Sequence, residues 1–438
     1  MNRSAVEKHI LNKPKENAVK TYNFIDLFAG CGGLSEGFYR QGFHALAHVE
    51  IDHFACETLK TRMRYYGYGA ADQAVMEQDI TAKDIVRKIK AVVGDETVDI
   101  IIGGPPCQSF SPLGKARDEN SMQQDPRNYL FESYVKVLNH FKPKFFVFEN
   151  VLGLLDTELR GKRIFKIILR RLRKNYRVLS KEETIVLNAT SYGVPQERKR
   201  VILIGTRRDL DVTPGDVYAK IQKTHYLPGD IGKQTSGLNR YVTVRDAIGD
   251  LPKLHSGEGA IEVNYPNDYS ECSEYVKLLR KPSDTVLRYH VARKNNEADI
   301  ERYKAMAENH WNFLQLLDFR PDLAHEKKRV FFNSYKVQWW DMPARTIIAH
   351  LYKDGNQFIH PDHEQARSIT IREAARLQSF PDDFVFEGSR TEQFKQIGNA
   401  VPPMLAESIA KAIKLKLDEL ERDSGDDIQE CNSIAIES

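Results

Sequence analysis

An α/β fold on a mostly parallel sheet is what this 438-residue chain predicts, and three observations predict it. From Tyr22 to about residue 207, apolar runs of strand length alternate with amphipathic segments of helix length. The first run leads into a glycine-rich turn that opens a helix, FIDLFAGCGGLSEGF at 24–38. A later run, VDIII at 98–102, stops at GGPPCQSFSP, which a core strand cannot continue.

Residues 1–20 are polar, lack a period and read as an N-terminal arm. YNFIDLF (22–28) then reads as a strand, GLSEGFYRQG (33–42) as a helix, HALAHVE (44–50) as a strand and FACETLKTRM (54–63) as a helix. VDIII is followed by a helix at 128–141 and a strand, KFFVFEN, at 144–150. Such alternation implies parallel βαβ units with right-handed crossovers. GKRIFKIILRRLRKNYR (161–177) is an amphipathic helix with Ile164, Phe165, Ile168, Leu169 and Leu172 on one face. Its cations could touch phosphates, although such a run is more often a solvated face. VILIGTR (201–207) is another strand. Residues 209–342 change texture, with short irregular segments rich in Gly, Pro, Ser and Tyr, and read as a second, smaller domain. Order returns from 343, with a capped helix within 368–384 and an amphipathic helix at 402–417 that Pro402 and Pro403 suit as a start. The acidic stretch 418–438 reads as a disordered tail.

Composition narrows the class. No run of about 18 apolar residues exists to span a membrane, and the N-terminus has no apolar signal core, so a cytoplasmic protein is expected. The five cysteines are scattered without a CxxC pair, which points to a reducing compartment and to no structural metal. The net charge of +3 hides an asymmetry: eight acids against one base leave 418–438 at −7, so the first 417 residues carry +10. A basic body fits a polyanionic partner, though charge alone favours an ordinary solvated surface.

Gly30, Gly32 and Gly33 let the backbone approach a ligand, and Glu50, ending the next strand, can grip ribose hydroxyls. The turn lacks the third glycine of a dinucleotide fingerprint, so a nucleoside cofactor and a tight structural turn stand at even odds on these residues alone. Asp79 in EQDIT could reach an adenine amino group or simply cap a helix. Cys107 follows a strand on the same rim as that turn, where open parallel sheets bind ligands. The polar stretch 111–128 after it resembles a lid. Glu149 ends the next strand on that rim, and Gln196, Arg198 and Arg200 alternate in YGVPQERKR, so an extended segment would point all three one way.

In its motifs and their order, the chain resembles the DNA (cytosine-5) methyltransferases. The matches are DLFAGCGG (26–33), GGPPCQS (103–109), ENV (149–151), QERKR (196–200) and QIGNAVPP (396–403), with RTIIA (345–349) and REAARLQSFPD (372–382) also similar. The resemblance implies a Rossmann-like, S-adenosyl-L-methionine-dependent methyltransferase fold. Its catalytic domain would be discontinuous, 21–208 and 343–417, around a target-recognition domain at 209–342. It also implies a cofactor pocket of Phe28, Ala29, Gly30, Gly32, Gly33, Glu50, Ile51, Asp79, Ile80, Pro106, Leu130, Asn399, Ala400 and Val401. Cys107 would be the nucleophile, with Glu149, Arg198 and Arg200 as catalytic partners and Gln108, Ser111 and Gln196 as substrate contacts. No metal is implied. The partner would be double-stranded DNA, with a restriction endonuclease as functional counterpart, and a nucleoid-associated monomer is the default. Arg240, Arg245, Arg288, Tyr289, Arg293, Lys294 and Asn295 are candidate base readers. The alternatives are a transfer-RNA methyltransferase of the same superfamily, a non-catalytic DNA-binding module and a dinucleotide oxidoreductase.

Overall fold

The structure is a computed structural model that describes residues 20–106, 129–159, 161–233, 235–266, 268–324 and 335–436, with side chains as far as Asp423. Five strands, β1 (Asn23–Leu27), β2 (His44–Glu50), β3 (Val75–Glu77), β4 (Ile100–Gly103) and β5 (Phe145–Val151), lie parallel in the order β3-β2-β1-β4-β5. They are covered on both faces, which is why β4 and β5 open on unbroken Ile, Phe and Val runs; Ile100, Ile101 and Ile102 are all fully buried. Beyond β5 the sheet turns antiparallel. β6 (Tyr176–Val178) and β7 (Val186–Asn188) both pair with β8 (Lys199–Arg207), and β8 runs against β5 with Arg200 opposite Val151. The two short strands were not legible, because three residues are too few to show a period.

Successive strand residues face opposite sides and seed two cores. On one side Ile25, Ile101, Phe146 and Leu203 pack under α3 (Ile85–Val93), α4 (Leu130–Phe141) and α5 (Ile164–Leu172). On the other, Phe24, Ile100, Val147 and Ile202 pack under α1 (Gly33–Arg40), α2 (His53–Tyr65) and the chain's last helix.

The second body is built from short pieces: α6 (Val244–Ile248), a ribbon of β9 (Gly259–Asn264) and β10 (Val286–Val291), α7 (Glu274–Leu279), α8 (Glu297–Glu308) and α9 (Phe313–Phe319). The returning chain completes its core before it rejoins the sheet. Val244, Leu279 and Leu287 pack with Ile347, Ala374, Phe380 and Ile397, contributed by α10 (Ile371–Leu377), α11 (Arg390–Asn399) and their flanks. Buried ion pairs hold this core, with Arg367 on Glu373 at 2.7 Å and Arg376 on Asp382 at 2.7 Å. Between the bodies, Arg62 reaches both Glu36 (2.7 Å) and Asp383 (2.9 Å).

The last helix, α12 (Pro403–Ile436), runs through the stretch for which composition predicts a disordered tail. Leu405, Ile409, Ile413 and Leu417 seal its first half, after which each added residue closes one more helical hydrogen bond at low cost. Asp418 accepts from Tyr22 and Glu421 from Lys144, which carries the helix past residue 417. No helix among the described residues is long and apolar enough to cross a membrane.

Candidate active site

The site lies along the carboxyl ends of β1, β2, β4 and β5. At the end of β1 the chain leaves the strand through Phe28 at φ 59° and reaches Gly32 at φ 87°, which caps α1. A side chain at φ 87° is strained, so Gly32 is required by the turn itself. The Gly30 amide donates to Glu50 Oε2 at 2.7 Å, and Glu50 Oε1 accepts from the amides of Ile51 and Asp52 at 2.8 and 2.9 Å. Glu50 is thus fixed across the turn with lone pairs to spare. Ile51 is 67% exposed beside it, and a Cβ on Gly30 would meet nothing within 4 Å. An open glycine, a held carboxylate and a bare apolar side chain fit a nucleoside: amides and carboxylate for a ribose, Ile51 for a base. Asp79 is exposed, and its Oδ1 accepts from the amide and hydroxyl of Thr81, which makes a local turn. Ile80 and Ala29 are buried. Leu130 is half-buried at the head of α4.

The third side of the pocket comes from the other end of the sequence. A Cβ on Gly33 would overlap the Val401 carbonyl oxygen and lie 2.9 Å from Ala400 Cβ. Glycine therefore lets the 400–401 backbone rest on the turn. Asn399 is exposed beside it and Val401 is buried.

The proline turn leaves β4 next to Glu149. A Cβ on Gly104 would stand 2.6 Å from Glu149 Oε2, and buried Asn150 donates from Nδ2 to the Pro105 carbonyl at 3.0 Å while its Oδ1 accepts from Val151 N. Pro106 is half-buried at the last described position of this turn. Cys107, Gln108 and Ser111 lie outside the described residues. Glu149 Oε1 stands 3.0 Å from Arg200 Nε. Burial pushes the Glu149 carboxyl above its ordinary value, opposed by Arg200 and then Arg198, so the protonated form is favoured more than in water.

The expectation that Gln196, Arg198 and Arg200 share a direction fails for two of the three. Gln196 is fully buried; its Nε2 donates to the Leu377 carbonyl at 3.0 Å and to Gln378, and its Oε1 accepts from Ile347 N. Arg198 is also sealed. Its guanidinium donates to the carbonyls of Ile347 (2.6 Å), Gly398 (3.1 Å) and Ala400 (2.8 Å). Gln378 adds a second donor to the Ala400 carbonyl at 2.8 Å. Gln196–Glu197 pairs with Ala344–Arg345 outside the main sheet, and where the chain passes from there to β8 these side chains turn inward and pin the segment that rests on Gly33. Only Arg200 reaches the rim. Asn150 and Gln378, which sequence reasoning did not single out, do positioning work; ENV displays Asn150 as a motif residue, but its partner lies 45 residues upstream.

Most candidate readers are engaged within the fold. Arg245 pairs with Asp341 at 3.2 Å, Arg288 with Glu262 at 2.9 Å, Tyr289 OH donates to the Phe386 carbonyl, and Arg293 donates to the carbonyls of Leu351, Tyr352 and Lys353. Asn295 Nδ2 is 3.4 Å from Tyr303 OH. Arg240 and Lys294 remain exposed. Among the described residues no group of three His, Cys, Asp or Glu could hold a metal ion.

Comparison with known proteins agrees with this geometry. The family model of C-5 cytosine-specific DNA methylases matches residues 22–415. The type II methyltransferase M.Bpa9945I of Bacillus paralicheniformis is 35% identical over 89% of this chain and 98% of its own length. M.DdeI of Desulfomicrobium norvegicum is 36% identical over 89% of this chain and 88% of its own. Among solved structures, one described as a DNA modification methyltransferase encoded within an E. coli prophage superposes with a TM-score of 0.63 at 25% identity, covering 91% of this chain and 99% of that one. The chain belongs to the C-5 cytosine-specific DNA methylases, in their bacterial restriction–modification branch, and is a DNA cytosine-5 methyltransferase.

Proposed function

We propose that this enzyme methylates carbon 5 of a cytosine extruded from duplex DNA, through a transient bond from Cys107 to carbon 6. The observation that carries the reading is the Glu149–Arg200 pair, 3.0 Å apart, beside the Gly104–Pro106 turn that leads into Cys107. S-adenosyl-L-methionine, held by Gly30, Glu50, Ile51 and the 399–401 segment, supplies an electrophilic methyl group. Carbon 5 of cytosine is a poor nucleophile. The Cys107 thiolate adds to carbon 6 and pushes an electron pair toward carbon 5. Glu149 donates its proton toward N3, which neutralises charge that develops only on addition, and Arg200 holds the carboxyl and the 2-carbonyl oxygen. Once carbon 5 has taken the methyl group, with the methyl–sulfur bond broken, loss of its proton to solvent water re-forms the 5,6 double bond, expels the thiolate and returns the N3 proton to Glu149. A stacked cytosine cannot reach the rim, so flipping costs a few kcal/mol of pairing and stacking. Asn150 anchors the turn that carries the thiol, and Arg198 anchors the cofactor cover.

Residues 209–342 supply target recognition in this proposal, with Arg240 and Lys294 as the exposed cations among the candidate readers. The enzyme works on DNA in the bacterial cytoplasm, where it protects host sites from a partner endonuclease. The test measures labelled methyl transfer to host duplex DNA and to transfer RNA, with wild type and Cys107→Ala. Transfer to duplex DNA, its loss in Cys107→Ala with cofactor binding kept, and a persistent covalent complex on 5-fluorocytosine duplex are expected. Methylation of transfer RNA alone, or turnover by Cys107→Ala, overturns the proposal.

A further inference from the structure

The positive charge of this enzyme is not spread over its body. Residues 160–181 contain ten Lys and Arg and no Asp or Glu, as many charges as the whole excess of the first 417 residues. This stretch is α5 with its flanks. Ile164, Ile168, Leu169 and Leu172 are sealed in the core, so the opposite face, with Lys166 and Arg170, must point to solvent; both are exposed, as is Lys174 in the turn that follows. Lys166 and Arg170 stand four residues apart on α5, one above the other, and Lys174 follows in the turn just past its last residue, Leu172. A merely solvated helix face interleaves the two signs at that spacing. Here the like-charged pair Lys166 and Arg170 repels, Lys174 adds a third positive charge beyond the helix end, and among the described residues none of the three has a carboxylate within 4 Å. Neighbouring Arg171 keeps Glu132 at 3.0 Å, which shows what a partnered cation on this helix looks like.

The stripe also has a direction. β5 ends at Val151 beside Arg200 on the catalytic rim, and β6, which follows α5, pairs Tyr176 with Arg207 at the far end of β8. Helix α5 therefore descends from the rim along the flank of the catalytic body. From Lys166 to Leu172 the helix covers about 9 Å at 1.5 Å per residue, and Lys174 lies two residues further on. Duplex DNA carries a phosphate per strand about every 3.4 Å of axis, so the stripe can face roughly three.

We propose that Lys166 and Arg170 on α5, with Lys174 in the turn that follows it, form a second DNA-binding surface, outside the catalytic cleft, that contacts the phosphate backbone of duplex flanking the target site. It rests on duplex DNA being the substrate, but not on the assignment of the catalytic thiol. Without base edges to read, it adds affinity and residence on long DNA rather than specificity. The experiment compares wild type with Lys166→Gln/Arg170→Gln/Lys174→Gln on a duplex just covering the target site and on one extended by several helical turns. Affinity is measured across a salt series, and single-turnover rate at saturating DNA. The expected result is a several-fold affinity loss on the long duplex alone, a salt dependence flatter by up to about 2.7 in log–log slope, and an unchanged single-turnover rate. Equal affinities on the long duplex overturn the proposal, as does an equal loss on both lengths, which would put these cations at the cleft. Recovery of wild-type behaviour in the triple variant after removal of residues 424–438 also overturns it, because the acidic segment would then be involved. Absence of methyl transfer by the wild type to either duplex would instead refute the catalytic reading.

Discussion

The rim residues are set by neighbours that never meet the substrate. Asn150 carries no chemistry, yet its amide joins β5 to the Pro105 carbonyl and so anchors the proline turn that precedes Cys107 in the sequence. Asn150→Ala should lower the single-turnover rate by about 10²-fold, the cost of a misplacement near 1 Å, while the cofactor dissociation constant stays within twofold. Rapid-quench assays and titration calorimetry separate the two. The Glu149 carboxyl, raised by burial against the pull of Arg200 and Arg198, should act in its protonated form. That form is lost as pH rises through the raised value, so the single-turnover rate should fall along an alkaline limb that Glu149 causes. Glu149→Gln cannot ionise. It should lose that limb and run about 10²–10³-fold slower; a pH–rate profile with the limb intact in Glu149→Gln would refute the assignment.

Elements meet here through small residues and buried donors. Helix α1 lies so close to the 400–401 backbone that Gly33→Ala should displace the cofactor cover, cost about 1–3 kcal/mol of stability and weaken cofactor binding measurably. Differential scanning calorimetry and a binding isotherm check both effects. β1, β2, β4, β5 and α1 were legible from apolar runs and the glycine turn, because their signals are local. The inward rotation of Gln196 and Arg198 was not. Alternation predicts one face for an extended segment, and the break before β8 depends on Ile347, Gly398 and Ala400, up to 202 residues away. The helical course of 418–436 was likewise missed, since composition records its charge and not the buried half of α12 that carries it.

At the scale of the whole molecule, a buried polar cluster under the glycine turn makes stability depend on pH. Asp26 is pushed up to about 8, chiefly by burial, with Glu50 adding and the Ser35 hydroxyl, 2.5 Å away, opposing. Between about pH 4 and pH 8 the folded protein keeps a proton that the unfolded chain releases, so this group makes stability fall as pH rises. Asp26→Asn should flatten that fall. Urea midpoints at about pH 5 and pH 8 give the test, and an equal pH dependence in both proteins would refute it.

By itself, the sequence determined the parallel core, the order of its strands' motifs, the family, and the residue types on the rim, since hydrophobic period and glycine placement act over a few residues. Only the tertiary structure decided which motif residues reach the rim and which are sealed into the frame. Arg198 and Arg200 differ by two positions, but one closes on three distant carbonyls and the other on Glu149. A buried cation must find its partners wherever the fold brings them, and those partners are set by packing, not by spacing along the chain.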